Sequence, residues 1–224
     1  MGIDLRREGE VFVLTMNSGE NRFNRAFVTD FNAALDEVER SNGPAALVTV
    51  GGQEKFYSNG LDLDWMGGDG RDEARTFVGE VLALMGRVLV LPVPTVAAMN
   101  GHAFAAGGML ALAHDFRVMR ADRGFFCLPE VDIGLPLAPG MTALVKSRLS
   151  LQTFRDAILT GARIGGTDAL ARGIVDEAVA GPEVLPRALA RAASLAAKDR
   201  TIYGALKRGM HGDVAAVLAA REVS

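Results

Sequence analysis

The chain has 224 residues, of which 49% are hydrophobic and 23% charged, and its formal net charge is -3. That length and balance fit one globular domain with a sizeable core. The slight negative charge argues against a general nucleic-acid or membrane-surface binder and leaves only a local basic patch for an anionic ligand. The single cysteine, Cys127 in "GFFCLP", excludes an intrachain disulfide framework and reads as a small buried hydrophobe. "MGIDLRREGE" has no apolar signal core and no run reaches membrane-spanning length, so a cytoplasmic protein is expected.

"VFVLTM" at 11–16 reads as a strand followed by the turn "NSGEN". An amphipathic helix is expected around 26–40, with Phe27, Phe31, Ala34, Leu35 and Val38 on one stripe. The apolar run at 45–50 has the pattern of a strand buried on both faces. "KFYSNGLDLDWMGGDG" reads as a glycine-punctuated loop in which Asp62 and Asp64 are placed to cap a short helix. A periodic helix over about 72–90 is stopped by "LPVP". "TVAAMN" is a short buried strand, and "GHAFAAGGML" turns into a helix near 107–114. "FRVMRAD" and "GFFCL" read as two more strands. From Pro139 the pattern is helical, interrupted by a strand at 173–179, and no repeat of fixed period is evident. Strands alternating with helices and then giving way to helices predict an α/β core with a helical C-terminal part.

Two small-residue turns stand out, "YSNGLDL" and "AFAAGGML". Neither has the spacing of a phosphate-binding loop. Each is either an ordinary tight turn or a place where backbone N–H groups face a pocket, as two donors of an oxyanion hole do. Glu130 and Asp132 sit in the apolar "LPEVDIGLPLAPG". A carboxylate in apolar surroundings has a raised pKa suited to acid–base work, and a capping or salt-bridging acid fits the same pattern. Asp115, at the end of the glycine-led helix, is expected to be held by Arg117 or Arg120. His102, His114 and His211 are scattered and no metal-ligand spacing or nucleophile elbow occurs.

Taken in order, "KFYSNGLDL", "PTVAAMNGHAFAAGGMLALAHDFRV", "LPEVDIGLPLAPG" and "ILTGARIGGTDALARGIVDEAV" resemble the crotonase (enoyl-CoA hydratase/isomerase) superfamily. Within it the motifs are most similar to those of monofunctional Δ3,Δ2-enoyl-CoA isomerases of plant type. The resemblance spans roughly Val11 to Val179. It implies an α/β crotonase-like spiral of ββα turns (1–185) with a helical trimerisation region (186–224) in the same structural domain. It implies acyl-CoA thioesters as substrates, no cofactor, no nucleic-acid or membrane partner, and a homotrimer or dimer of trimers.

By the same resemblance Leu61 and Ala106 match the two backbone N–H donors to the thioester oxygen. Hydratases of the superfamily use two glutamates. One position is Glu130 here and the other is Met109, so the resemblance implies a one-base isomerase with Glu130 catalytic and Met109 an apolar wall. Ser58, Asn59, Gly60, Asp62 and Gly107 belong to the matching substrate-binding turns. Arg22 and Lys55 either meet CoA phosphates or are solvated surface charges. Phe56, Trp65, Phe77 and Met85 either line an acyl tunnel or pack in the core. Other crotonase-type chemistry (hydration, hydrolysis or decarboxylation) and a non-catalytic acyl-CoA-binding subunit stand as alternatives.

Overall fold

The computed structural model describes residues 2–223. Its larger sheet has the strand order β1-β2-β3-β5-β7-β9, formed by Ile3–Glu8 (β1), Val11–Met16 (β2), Ala46–Gly51 (β3), Thr95–Met99 (β5), Phe116–Arg120 (β7) and Glu177–Val179 (β9). β1 is antiparallel to β2, and every later pairing in the sheet is parallel. A second, three-stranded parallel sheet is built from Phe56–Ser58 (β4), His102–Phe104 (β6) and Phe126–Cys127 (β8).

The two sheets are filled alternately. β3 enters the large sheet and β4 the small one, and Leu63–Gly67 (α2) and Ala74–Leu89 (α3) follow. β5, β6 and Ala106–Ala113 (α4) repeat the step, as do β7, β8 and Glu130–Ile133 (α5). The expected spiral of ββα turns is therefore present. The sequence shows no fixed period because the insertions between turns differ in length.

Helix Arg25–Arg40 (α1) is capped by Asn24, whose side chain accepts from Phe27 N, and buries the predicted Phe27, Phe31, Ala34, Leu35 and Val38 stripe. After α5 come Pro139–Arg148 (α6), Leu151–Thr160 (α7), Gly166–Ala171 (α8), Val184–Leu195 (α9) and Arg200–Ala219 (α10). α9 covers one face of the large sheet, where Val184, Ala188 and Ala192 meet Val48, Val96, Ala98 and Val118. The main core fills the other face. This two-sided cover explains the unbroken apolar runs of β3 and β5, since strands buried on both faces lose the polar alternation. Three strands escape sequence reading. β1, "IDLRRE", is largely exposed, and β4 and β6 have three residues each, too few to show a period.

α10 packs along α3 and α6 and carries an ion pair into the interior. Lys207 is 4% exposed and its Nζ lies 2.9 Å from an Asp115 carboxylate oxygen. Asp115 also accepts from Thr95 N at 2.9 Å and from Tyr203 Oη at 3.1 Å. This corrects the expected partners. Arg117 turns its guanidinium to the Ile174 and His114 carbonyls, and Arg120 pairs with Asp122. A buried pair stripped of one charge leaves the other uncompensated, at a cost of about 3–5 kcal/mol. Asp115→Ala is therefore expected to lose about that much unfolding free energy in denaturant titration, and Asp115→Ala with Lys207→Met together to recover part of it.

Candidate active site

Ser58 ends β4 fully buried. Its Oγ donates to the Asn21 carbonyl at 2.7 Å and accepts from Gly60 N at 3.2 Å. Asn21 is itself buried at a positive φ of 53°, and its Nδ2 donates to the Tyr57 carbonyl at 2.9 Å. These bonds fix the turn that presents Leu61. The Leu61 carbonyl accepts from Leu63 N, while its N–H finds no hydrogen-bond partner among the described residues.

The second turn is tighter. Ala105 has φ 48° and ψ -126°, a conformation that glycine adopts freely and alanine only with strain. It redirects the chain so that α4 starts at Ala106 without a side-chain cap. Ala106 N–H is one of the first-turn donors that a helix leaves unsatisfied, and it has no partner among the described residues. Glycines bring the two turns together. A Cβ on Gly107 would lie 2.4 Å from the Ser58 carbonyl oxygen, and one on Gly60 would lie 3.0 Å from Ala106 N. Only missing side chains permit this approach, and a side chain at Gly60 would cover the Ala106 donor.

Both turns line one cavity of about 440 Å³, together with Phe104, Pro129, Glu130 and apolar residues of α2, α3 and α6. That volume suits a small-molecule ligand. Among the described residues Glu130 is its single acidic lining residue, and it opens α5 just after Pro129. Its Oε2 is buried and has no hydrogen-bond partner among the described residues. Burial raises its pKa above the ordinary 4.5, and no cation offsets the shift. A backbone hydrogen bond at its own N–H, in the first turn of α5, partly offsets the shift, so of the alternatives the sequence left open the salt-bridging acid is not realised at Glu130. Asp132 lies outside the cavity and packs at Gly161.

Several other expected residues are placed elsewhere. Met109 is fully buried in the main core and does not line the cavity, because every position of α4 is enclosed and Ala105 and Ala106 occupy the wall instead. Gly107 and Ser58 shape the turns from behind. Phe77 and Met85 are core residues, Trp65 lines a neighbouring cleft and packs edge-on against Phe77, and Phe56 stacks with His102 under Lys55 Nζ. Asp62 caps α2 by accepting from Trp65 N at 3.1 Å, whereas Asp64 pairs with Arg22. Arg22 and Asn59 stand on the cavity wall, and both bond Glu20, whose carboxyl they hold below its ordinary pKa. Asn21 and Val223 were missed. Asn21 looks like one more polar turn residue, and no periodicity marks Val223 as a cavity wall. Cys127 is buried with its pKa pushed up to about 11. Among the described residues no group of three or more His, Cys, Asp or Glu is placed to hold a metal ion, and no helix is long and apolar enough to cross a membrane.

The spiral and its apolar cavity define a crotonase-type enzyme. A model of the family described as enoyl-CoA hydratase/isomerase matches residues 6–222, and the chain belongs to that family. It is 33% identical over 219 residues to enoyl-CoA delta isomerase 3 of Arabidopsis thaliana, covering 94% of this chain and 92% of that one. It is 32% identical to the peroxisomal enoyl-CoA delta isomerase 2 of the same plant, over 96% and 94% of the two chains. Among solved structures, an apo enoyl-CoA isomerase of Mycobacterium tuberculosis superposes with a TM-score of 0.89 at 28% identity, over 98% of this chain and 95% of that one. An enoyl-CoA hydratase/isomerase family protein of Pseudomonas syringae gives 0.91 at 29%, over 98% and 94%.

Two outcomes follow from the strain and burial of the site. Ala105→Gly relieves the positive φ and is expected to stabilise the fold by about 1 kcal/mol in thermal unfolding. For Glu130 the folded chain holds its proton to higher pH than the unfolded chain does. Stability is therefore lost as pH rises from the ordinary carboxylate pKa through the raised one. Glu130→Gln is expected to raise the melting temperature at neutral pH and to leave it unchanged below the ordinary carboxylate range.

Proposed function

We propose that the protein is a Δ3,Δ2-enoyl-CoA isomerase of fatty acid β-oxidation. The observation that carries this reading is one carboxylate with a buried, unpartnered oxygen in an apolar cavity that also holds two unpaired backbone donors, with no second acid on its wall among the described residues. Glu130 takes a proton from C2 of a 3-enoyl-CoA, the carbon made acidic by the adjacent thioester. The electron pair moves onto the thioester oxygen, where the Leu61 and Ala106 N–H groups stabilise it. The proton returns from Glu130 to C4 as the double bond shifts from C3=C4 to C2=C3. The charge on the thioester oxygen is taken up by fixed dipoles, so the step calls for no metal or redox cofactor.

The raised pKa of Glu130 serves this chemistry, because a base whose pKa approaches the working pH accepts and returns one proton with small driving force either way. Hydration by two carboxylates lacks its second acid, since Met109 stands at the matching position and is enclosed in the core. The plant delta isomerases at 32–33% identity support the same choice. Exposed apolar residues on α7 (Leu151, Leu159) and on α10 (Ile202, Leu206, Met210) support self-association of the kind expected for a trimer.

Incubation with a 3-enoyl-CoA, followed as conjugated 2-enoyl-CoA, tests the proposal. Glu130→Gln is expected to lower the rate about 10²–10⁴-fold. The wild-type rate should rise with pH through a value above the ordinary carboxylate range. Retention of most activity in Glu130→Gln, or accumulation of a hydrated or decarboxylated product in place of the isomer, would overturn the assignment.

A further inference from the structure

One wall of the cavity comes from a segment far from every motif. α10 runs along α3, and successive contacts descend α3 toward its start. A Cβ on Gly86 would lie 3.2 Å from Leu218 Cβ, and one on Gly79 would lie 2.9 Å from Arg221 Cβ. Arg221 leaves the helix at a φ of 57°, and Arg75 Nη2 then donates to the Val223 carbonyl at 3.2 Å. This path brings Val223 onto the wall of the cavity that Val78 of α3, Met66 of α2 and Met141 of α6 also line.

The other apolar walls come from α2, α3, α5 and α6 and from the segments flanking them. The 221–223 segment is held by an exposed hydrogen bond and by the close fit at Gly79. We propose that Val223, held in place by Arg75 and Gly79, sets the length of acyl chain that the cavity accepts. The inference rests on the reading of the cavity as an acyl-thioester site. With the thioester fixed at Leu61, Ala106 and Glu130, the chain can only extend along the apolar wall. Each methylene that finds room there adds about fourfold to affinity, and the first that meets Val223 adds nothing.

Calorimetric binding of saturated acyl-CoAs, from butanoyl to hexadecanoyl, reads this directly without requiring turnover. For the wild type, affinity should climb with chain length and then level off. Val223→Trp is expected to level off at a shorter chain, binding the longer ones at least about tenfold more weakly than the wild type while the shortest is unaffected. Gly79→Ala alters no cavity residue but displaces Arg221, and should level off at a longer chain. The same plateau in all three proteins overturns the inference alone. If Val223→Trp fails to fold, Gly79→Ala decides by itself. Failure of the wild type to bind any acyl-CoA overturns the acyl-thioester reading, and the inference with it.

Discussion

The site depends on two backbones approaching with nothing between them. The start of α4 lies against the end of β4 because Gly107 faces the Ser58 carbonyl, and the turn after β4 lies against α4 because Gly60 faces Ala106 N. Neither approach tolerates a side chain. The ββα spiral makes them possible by placing β4 and β6 side by side in the small sheet, so that the segments leaving both strands emerge at one edge. Two unpaired N–H groups then share a cavity with a third element, α5, which brings Glu130. Every group proposed to act on the substrate is held by the backbone or by one short helix, which limits its freedom before any ligand arrives.

This arrangement is costly to the fold. An alanine sits at a positive φ, two backbone donors find no partner among the described residues, and a carboxylate oxygen is buried without a cation. The strained alanine and the buried carboxylate each cost on the order of 1–3 kcal/mol in isolation. The offset lies outside the cavity. β3 and β5 are covered on both faces, and α10 is fastened to the interior by the Lys207–Asp115 pair and the Tyr203 hydroxyl. The same helix leads to Val223, so the element that anchors the C-terminal part also delivers a wall of the site. The unsatisfied groups collect in the cavity, where the proposed thioester substrate satisfies them.

Much of this was legible in the sequence. Helical stripes such as Phe27–Phe31–Leu35–Val38 and apolar runs such as 45–50 carry their own periodicity and burial. The glycine turns and the apolar setting of Glu130 were visible as local chemistry, and the order of the motifs placed them in one family. What escaped depends on contacts between distant positions. Asp115 was expected to pair with a nearby arginine and pairs instead with Lys207, ninety-two residues on. Met109 matches the position of a hydratase's second glutamate, which implied a cavity wall, yet α4 turns it into the core and only Ala106 of that helix reaches the cavity. Asn21 and Val223 act through one backbone bond or one face of a tail, and neither leaves a pattern to read.

The central claim is that a thioester oxygen meets two backbone donors within reach of a single carboxylate. A crystal structure with a non-isomerisable 3-enoyl-CoA analogue measures this directly. The account predicts the thioester oxygen about 2.7–3.1 Å from both Leu61 N and Ala106 N, with one Glu130 carboxylate oxygen facing C2 and C4. A thioester oxygen bound away from either donor, or a second acid or ordered water between Glu130 and the alkene, would contradict it.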